Sequence, residues 1–321
     1  MQDIDSKELV SVIIPNWNNV ERLKACLKAI QLQKSIDFSV EIIVVDNGSD
    51  DTSIEVAKRF YASVLQERSL NSPYPCRNKG IRKARGRYIA LLDSNCIPDH
   101  NWMSAGIRAI NSGKGDIVIG PVHFEFTAEG ALFERFDFLY SVVREEDLPE
   151  RRALPATHLF VKRSVFEKTG LFIPNIRSLG DIEWSNRAYR AGFRFGWAEE
   201  AVVSYPAKGF RAFVKKMLRL GRGKKEVWRY GGGSVWNPRW IWWTFKNFLP
   251  PNPKFVRRLD SLDRREKTEV GIFRLFWLAW LLKILRGWGM LFGQYRSDLY
   301  QPIPELTSSG NPEATENVAS S

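Results

Sequence analysis

The sequence predicts an α/β fold, with a mostly parallel central sheet flanked by helices and a helical C-terminal extension. In the first 120 residues, short β-branched runs alternate with amphipathic helical stretches, the pattern of strands joined by helical crossovers. Two of these runs end in acidic loops, and basic and Trp residues are concentrated after position 205. With 321 residues and 44% hydrophobic content, the chain is long enough to bury its own core.

The first strand and the first helix are clearly marked. Val10–Ile14 has the composition of a buried strand, and apolar residues recur at helical spacing from Val20 to Ile30, which predicts a helix over 20–32. The predicted elements that follow are a strand at 40–45, a capping turn at 46–52, a helix at 53–60, a strand at 62–66, a loop containing Pro73 and Pro75, a basic helix, and a strand at 88–92 that ends at Asp93.

The pattern becomes less regular after residue 120. Helices are predicted over 131–143 and 181–191 and a strand over 157–161, which favours a mixed sheet. A long basic helix is predicted over 208–230, ending at three glycines, and an aromatic stretch then runs to Pro250 and Pro251. Beyond Tyr300 the sequence has few residues to bury, so we expect residues 301–321 to be disordered.

The charge of the chain is unevenly distributed. Residues 206–296 contain 21 Lys and Arg against 5 Asp and Glu, a net charge of +16, so the remainder is net negative although the whole chain is +12. The same segment holds 8 of the 12 tryptophans. Cationic and aromatic side chains concentrated together favour an anionic surface as a partner.

Cysteine usage and the first residues indicate the compartment. Cys26, Cys76 and Cys96 are odd in number and have neither CxxC nor zinc-ligand spacing, which argues against a disulfide framework or a zinc site. The first nine residues are polar and acidic, unlike a signal peptide. We therefore expect a cytoplasmic protein.

Four motifs occur in a recognisable order. They are Ser11–Asn18, Glu41–Thr52, the stretch from Arg77 to Asp93, and Gly180–Trp184. In this series, residues 9–205 resemble the family-2 glycosyltransferases of the GT-A fold, which have a Rossmann-like sheet and use nucleotide-sugar donors. The resemblance implies a nucleotide-sugar-binding half over 1–120 and an acceptor-binding half over 121–205, leaving 206–300 as a membrane-associating extension and 301–321 as a tail.

The donor site implied by the resemblance lies at the ends of two strands. Carboxylates there face the crevice in which open α/β sheets bind ligands, which suits Asp46 and Asp93. By resemblance, Asp46 would contact the nucleobase; alternatively, it is a turn residue that caps the next helix. The remaining donor-binding candidates are Pro15, Asn16, Trp17, Arg77, Asn78 and Ser94.

A divalent metal, Mg²⁺ or Mn²⁺, is implied at Asp93-Ser94-Asn95, which occupies the position of the family's Asp-x-Asp motif. Hard cations prefer oxygen ligands and commonly use one or two carboxylates plus substrate phosphates. Here an amide, Asn95, replaces the second carboxylate, so we expect weaker metal affinity, or substitution by Asp99 or water. Alternatively, the three residues are only a loop after a buried strand.

Asp181 is the candidate general base, because an inverting transfer needs a carboxylate that deprotonates the acceptor hydroxyl. Glu183 is the alternative, and residues at i and i+2 do not share a helix face, so one of them should point towards the acceptor. Asp181 can also stabilise the helix N-terminus. His158 lies in a stretch that resembles the family's acceptor-side strand, although a lone His is more often structural.

The most apolar segment, residues 272–292, contains Arg274, Lys283 and Arg286. Its uncharged run from Leu275 to Leu282 is shorter than the ~20 residues that span a bilayer. We therefore expect a helix lying at an anionic membrane surface, peripheral to the inner face of the cell membrane, or alternatively a core helix or a self-association face. A lipid-linked acceptor, in polysaccharide or glycolipid synthesis, would follow from that location.

Two other functions compete with this interpretation. A nucleic-acid-binding protein could use basic helices with interleaved Trp, but it would leave the acidic loops unexplained, so nucleic acid is not an expected partner. A catalytically silent relative would account for Asn95. A dinucleotide-dependent oxidoreductase is disfavoured because the first strand-to-helix turn lacks GxGxxG.

Overall fold

The structure, a computed structural model, describes residues 8–34, 37–127, 132–293 and 302–306. The start of the chain and most of the predicted disordered tail at 301–321 lie outside these residues. The strands are β1 Leu9–Asn16, β2 Ser39–Asp46, β3 Ser63–Gln66, β4 Tyr88–Leu92, β5 Ile97–Pro98, β6 Ile117–Ile119, β7 Val122–Glu125, β8 His158–Lys162, β9 Phe195–Trp197 and β10 Val203–Pro206. The α-helices are α1 Val20–Gln31, α2 Ser53–Arg59, α3 Pro73–Lys83, α4 Trp102–Asn111, α5 Leu132–Ser141, α6 Arg163–Thr169, α7 Gly180–Arg190, α8 Phe210–Tyr230, α9 Pro238–Phe245, α10 Pro253–Glu266 and α11 Ile272–Phe292.

The central sheet has seven strands in the order β3-β2-β1-β4-β8-β6-β9. Strand β8 runs antiparallel to both of its neighbours, β4 and β6, and the remaining pairs are parallel. A smaller sheet, β5-β10-β7, lies beside it. The predicted α/β fold with a mixed second half is therefore confirmed, and β8 is the strand that makes the sheet mixed.

Apolar side chains cover both faces of the central sheet because successive strand residues point in opposite directions. Within β1, Ile13 packs into one core and Val12 and Ile14 into the other. Both faces of such a strand are buried, as expected for parallel strands covered by helices. Because β1 is parallel to both β2 and β4, the C-terminal ends of these three strands lie at one edge of the sheet.

Two local expectations are corrected by the structure. Pro73 and Pro75 are not in a loop but in the first turn of α3, where a missing backbone N–H costs nothing, and Ser72 caps that turn by accepting from the Tyr74 N–H. Residues 302–306, expected to be disordered, pack on the domain: Leu306 is buried in its core, and the Pro304 carbonyl accepts from the Leu171 N–H at 2.8 Å.

The C-terminal helices build a third core. Buried side chains of α5, α8, α10 and α11 contact one another there, among them Phe136, Phe213, Leu259 and Leu278. Helices α8 and α11 cross closely at Gly221, where only glycine fits because a Cβ would overlap the Arg286 carbonyl oxygen. The basic segment is therefore packed on itself and on α5.

Helix α11 forms the most apolar part of this segment. It has 21 residues and, within the part of the chain that the structure describes, is the one helix whose length and composition would allow it to cross a membrane. Arg274, Lys283 and Arg286 lie within the helix and do not end it, so the helix is longer than the uncharged run from Leu275 to Leu282. In the most apolar 18-residue stretch of α11, 39% is buried inside the protein, so other parts of the protein pack against one side of the helix.

Candidate active site

The candidate site lies at the edge of the sheet where β1, β2 and β4 end. Asn16, the last residue of β1, is opposite Asp46, the last residue of β2. Strand β4 pairs with the other side of β1, and Asp93 follows its last residue. The fold thus brings together two acidic loops that are far apart in sequence, at the edge where open α/β sheets bind ligands.

Asp46 organises the loop that follows β2. Its Oδ2 accepts hydrogen bonds from the Gly48 N–H at 3.0 Å and the Ser49 N–H at 2.9 Å, and its Oδ1 accepts from the Ser49 hydroxyl. The carboxylate is buried. Asp46 is therefore a turn residue, although Thr52 rather than Asp46 occupies the N-cap position of the helix that follows, without a capping hydrogen bond from its side chain.

Asn16 and Trp17 form the adjacent end of β1, after Pro15. Asn16 is buried, and its Oδ1 has no hydrogen-bond partner among the described residues. A buried, unpaired acceptor costs roughly 1–3 kcal/mol, which a ligand donor could recover. Trp17 is half exposed, so its ring is available to line a pocket.

Arg77, on α3, links the Asp93 loop to the segment that precedes β8. Its guanidinium donates to Asp93 Oδ1 at 2.6 Å and to the Ala156 carbonyl at 2.8 Å, and it lies over the rings of Tyr74 and Phe172. Arg77 is buried, whereas 31% of the Asp93 side chain is exposed. The buried cation therefore binds Oδ1 of the carboxylate, and Oδ2 accepts no hydrogen bond from the described residues.

Asp181 occupies the first turn of α7 and belongs to the same cluster. Its Oδ1 accepts from the Tyr74 hydroxyl at 3.0 Å, and its Oδ2 accepts from the Ala156 N–H at 3.1 Å. Ala156 is thus bound by Arg77 through its carbonyl and by Asp181 through its amide. A carboxylate has about four acceptor positions, so each oxygen of Asp181 keeps one for another donor.

The pKa values of this cluster are interdependent. Burial raises the pKa of Asp93, Arg77 lowers it, and Asp181 raises it, with a net upward shift. Burial and the Asp181 carboxylate also raise the pKa of Tyr74, so the phenol remains protonated and can donate to Asp181. Although burial alone would lower the pKa of Arg77, Asp93 and Asp181 raise it, so the guanidinium remains charged.

Glu183 does not belong to the cluster. Both of its carboxylate oxygens accept from Arg187, one turn later on α7, at 3.1 Å. Arg187 also donates to the backbone carbonyls of Thr169 and Leu171, so it fixes the chain before α7. The structure separates the two candidate bases as their i, i+2 spacing predicts.

The other residues predicted at the site form hydrogen bonds with neighbouring parts of the protein. The Asn78 amide donates to the Phe172 carbonyl at 2.8 Å and accepts from the Phe172 N–H at 3.0 Å, which commits it to the backbone. The Ser94 hydroxyl accepts from the Asn19 amide at 3.3 Å. Asp99, considered as a substitute ligand, is exposed and accepts from the His100 N–H at 2.7 Å.

The donor set at Asp93 and Asn95 fits a hard divalent cation that obtains most of its ligands elsewhere. It offers the Oδ2 of one carboxylate and one amide oxygen, and Mg²⁺ commonly uses few protein ligands plus phosphates. Among the described residues, no three His, Cys, Asp or Glu side chains are grouped to hold a metal. Bound phosphates would therefore have to complete the coordination.

His158 has a structural environment. It is fully buried at the start of β8, between the Trp102 indole N–H, 3.4 Å from Nδ1, and the Gly120 carbonyl, 3.1 Å from Nε2. Burial lowers its pKa to about 4. Because both ring nitrogens have protein partners, His158 is held neutral in the core.

Two further residues act on the cluster and were not among the predicted site residues. The Tyr74 bond to Asp181 joins residues 107 positions apart, which no local pattern indicates. The Lys208 ammonium lies 5.0 Å from the centroid of the Tyr205 ring, and Asp93 is among the charges that act on it. Burial lowers the pKa of Lys208, and Asp137, whose Oδ2 accepts from the Lys208 backbone N–H at 3.3 Å, raises it more than Asp93 does.

The chain is similar to known proteins both in sequence and in fold. The family described as "Glycosyl transferase family 2" matches residues 11–171. "Glycosyltransferase AglE" of Haloferax volcanii is 30% identical over 298 residues, which cover 90% of this chain and 97% of that protein. "Glycosyltransferase GlyG" of Streptococcus pneumoniae is 32% identical over 39% of this chain and 43% of that protein.

Two solved structures share the fold at low sequence identity. The "Mannosyltransferase PcManGT from Pyrobaculum calidifontis in complex with GDP-Man and Mn2+" has a TM-score of 0.60 and 15% identity, covering 91% of this chain and 89% of that one. Residues 1–349 of TarS from S. aureus, in complex with UDP-GlcNAc, have a TM-score of 0.51 and 14% identity, covering 87% and 89%.

Proposed function

Because the chain belongs to glycosyl transferase family 2 and is a glycosyltransferase of the GT-A fold, we propose that it transfers a sugar from a nucleotide-diphosphate sugar to an acceptor hydroxyl with inversion. The observation that carries this proposal is the cluster in which Arg77, Ala156 and Tyr74 connect Asp93 to Asp181. This cluster holds the Asp93 carboxylate, which serves the donor, near the Asp181 carboxylate, which serves the acceptor.

The donor occupies the edge formed by β1, β2 and β4, in residues 1–120. Pro15 and Trp17 line the base pocket, and the unpaired Oδ1 of Asn16 accepts a hydrogen bond from the base. Asp46 acts through the loop that it organises rather than by direct contact, because the loop already occupies its carboxylate. Asn78 positions α3 through its bonds to Phe172.

The diphosphate lies between Asp93 and Lys208. Asp93, with Asn95 and the adjacent Ser94 loop, would hold Mg²⁺ or Mn²⁺, which supplies positive charge to the phosphate oxygens. The Lys208 ammonium, on which Asp93 also acts, neutralises the developing charge on the leaving diphosphate. The buried Arg77 holds Asp93 in position through its bond to Oδ1.

Asp181 is the general base. As the acceptor oxygen attacks the anomeric carbon, Asp181 accepts the hydroxyl proton, and the bond from the anomeric carbon to the diphosphate oxygen breaks. Tyr74 and the Ala156 N–H orient the carboxylate through one lone pair on each oxygen and leave the other for the acceptor. Glu183 has no part in this step, because it pairs with Arg187.

Residues 206–300 attach the enzyme to an anionic membrane, on the cytoplasmic side, where a lipid-linked or polysaccharide acceptor of the cell surface is elongated. Support comes from exposed apolar side chains on α9 and α11 and on the loop before α9, which we call the aromatic rim. It consists of Trp236, Ile241, Trp242, Phe245, Phe273, Trp277, Trp288 and Phe292. Aromatic residues with neighbouring Lys and Arg are characteristic of interfacial helices.

Isothermal titration with UDP and with GDP, each with Mn²⁺, tests the donor site. Asp93→Asn keeps an acceptor for Arg77 but removes the charge, and we expect roughly 10-fold weaker binding or more. Asp99→Asn is the matched control, since Asp99 is exposed and lies beyond β5, and this variant should bind the nucleotide normally. Equal affinity in the Asp93→Asn variant and the unaltered protein would remove Asp93 from the donor site.

A further inference from the structure

A second cleft lies between α7, α8, α9 and α11, outside the Asp93 and Asp181 cluster. It has a volume of about 590 Å³ and is called the tryptophan–lysine cleft here; its principal side chains are Arg190, Lys224, Trp228, Trp240, Trp243 and Arg286. It also includes Leu179 and Ile182, which flank Asp181 in sequence. Leu179 is the N-cap residue of α7, so one end of the cleft lies at the N-terminal end of the helix that carries Asp181.

The cleft carries positive charge that its own acid does not neutralise. Among the described lining residues, Glu183 is the one carboxylate, and it is paired with Arg187. Burial, Arg286 and Lys246 lower the pKa of Lys224 to about 8, which shows that its ammonium is partly desolvated and close to like charges. Cations crowded in this way favour a bound anion, because an anion would relieve both the desolvation and the repulsion.

Aromatic rings form the other wall. Trp228 stacks on Trp240 with centroids 5.7 Å apart and meets Trp243 edge-on at 5.4 Å, and Lys224 lies 5.0 Å from the Trp243 centroid. Indole rings beside ammonium and guanidinium groups suit a ligand that has an anionic group and an apolar or sugar face.

An apolar groove lies on the other side of α9 and shares Trp240 with the cleft. Its volume is about 390 Å³, and it is lined mainly by apolar side chains, including Trp236, Ile241, Phe245 and Leu291. Three of these, Trp236, Ile241 and Phe245, belong to the aromatic rim. A hydrocarbon chain in this groove would thus lie next to the proposed membrane surface.

From this juxtaposition we propose that the tryptophan–lysine cleft binds the phosphate group of a lipid-linked acceptor, with the lipid chain in the apolar groove and the sugar directed around the N-terminal end of α7 towards Asp181. The proposal rests on the proposed function, since it names the acceptor of the same site.

Titration calorimetry with dodecyl phosphate, below its micelle concentration, tests the cleft. We expect the unaltered full-length chain to bind it more tightly than dodecyl maltoside, which has the same hydrocarbon chain without the charge. Lys224→Gln with Arg286→Gln should weaken dodecyl phosphate binding roughly 10-fold or more. The matched control, Lys254→Gln with Arg257→Gln, removes two exposed charges of the same segment and should not weaken it.

Several results would overturn the proposal. These are equal affinity for the two amphiphiles, unchanged dodecyl phosphate binding in the cleft variant, or an equal loss in the control variant. UDP and GDP binding with Mn²⁺ should remain normal in the cleft variant, so failure of the donor site would appear separately, in Asp93→Asn. If the double variant is unfolded by circular dichroism, Lys224→Gln alone is titrated, and unchanged affinity again refutes the cleft.

Discussion

Replacing Asp181 by Asn separates the role of its charge from the role of its shape. The carboxylate accepts from the Tyr74 hydroxyl and from the Ala156 N–H. An amide can keep both contacts, because its oxygen can face the Ala156 N–H while its NH₂ donates to the phenol, which then acts as an acceptor. The variant should therefore fold and should still bind UDP or GDP with Mn²⁺.

The effect on turnover should be much larger than the effect on stability. Exchange of a charged acceptor for a neutral one weakens two hydrogen bonds, which costs about 1–3 kcal/mol in stability. Loss of a general base typically reduces the rate by about 10²-fold to 10⁴-fold. We expect at least a 10²-fold decrease in kcat, measured as nucleotide diphosphate release from the donor with its acceptor.

Glu183→Gln is the matched control, since it makes the same chemical change two residues later on the same helix. Glu183 pairs with Arg187 in a partly exposed i, i+4 salt bridge, which contributes about 0.3–0.5 kcal/mol, so its turnover should be near normal. A large loss in Glu183→Gln with near-normal turnover in Asp181→Asn would transfer the role of base to Glu183. Normal turnover in both would refute the inverting mechanism.

Three further predictions concern the metal, the core histidine and the membrane surface. Asn95→Asp adds a negative charge beside Asp93 and should tighten Mn²⁺ binding in calorimetry; equal or weaker affinity would exclude residue 95 from the metal shell. The pKa of His158 is about 4 when folded, against 6.5 when unfolded. Unfolding takes up a proton between these values, so stability falls as the pH decreases, by about 2 kcal/mol from pH 7 to pH 5 in urea unfolding. A His158→Gln variant with the same pH dependence would contradict this origin. Replacing Phe273 and Trp277, 84% and 62% exposed, by Ser should reduce flotation with anionic liposomes, including the fraction that resists high salt; equal flotation would assign this surface to another partner.

The order of the elements and the positions of the acidic loops were predictable from the sequence. Strand and helix periods are local properties, so β1, α1, β2 and β4 differ from the predicted ranges by only one or two residues at most of their ends. The strand ends follow from the same patterns. The predicted strand ends were therefore enough to assign Asp46 and Asp93 to the candidate site without any knowledge of the tertiary contacts.

The tertiary structure decided how those residues are used. Arg77 was a candidate from the sequence, but only the packing showed that it is buried and joins Asp93 to Ala156, and Tyr74 meets Asp181 across 107 residues. The pairing of Glu183 with Arg187 is local and could have been predicted from its i, i+4 spacing, although the separation of Glu183 from the cluster depends on how α7 packs. Composition determined that residues 206–296 are basic and rich in Trp, but only the packing of α7, α8, α9 and α11 determined which of their cations and rings share a cleft. The physical reason is that periodicity specifies which face of an element is apolar, whereas contacts between distant elements depend on how those faces pack together.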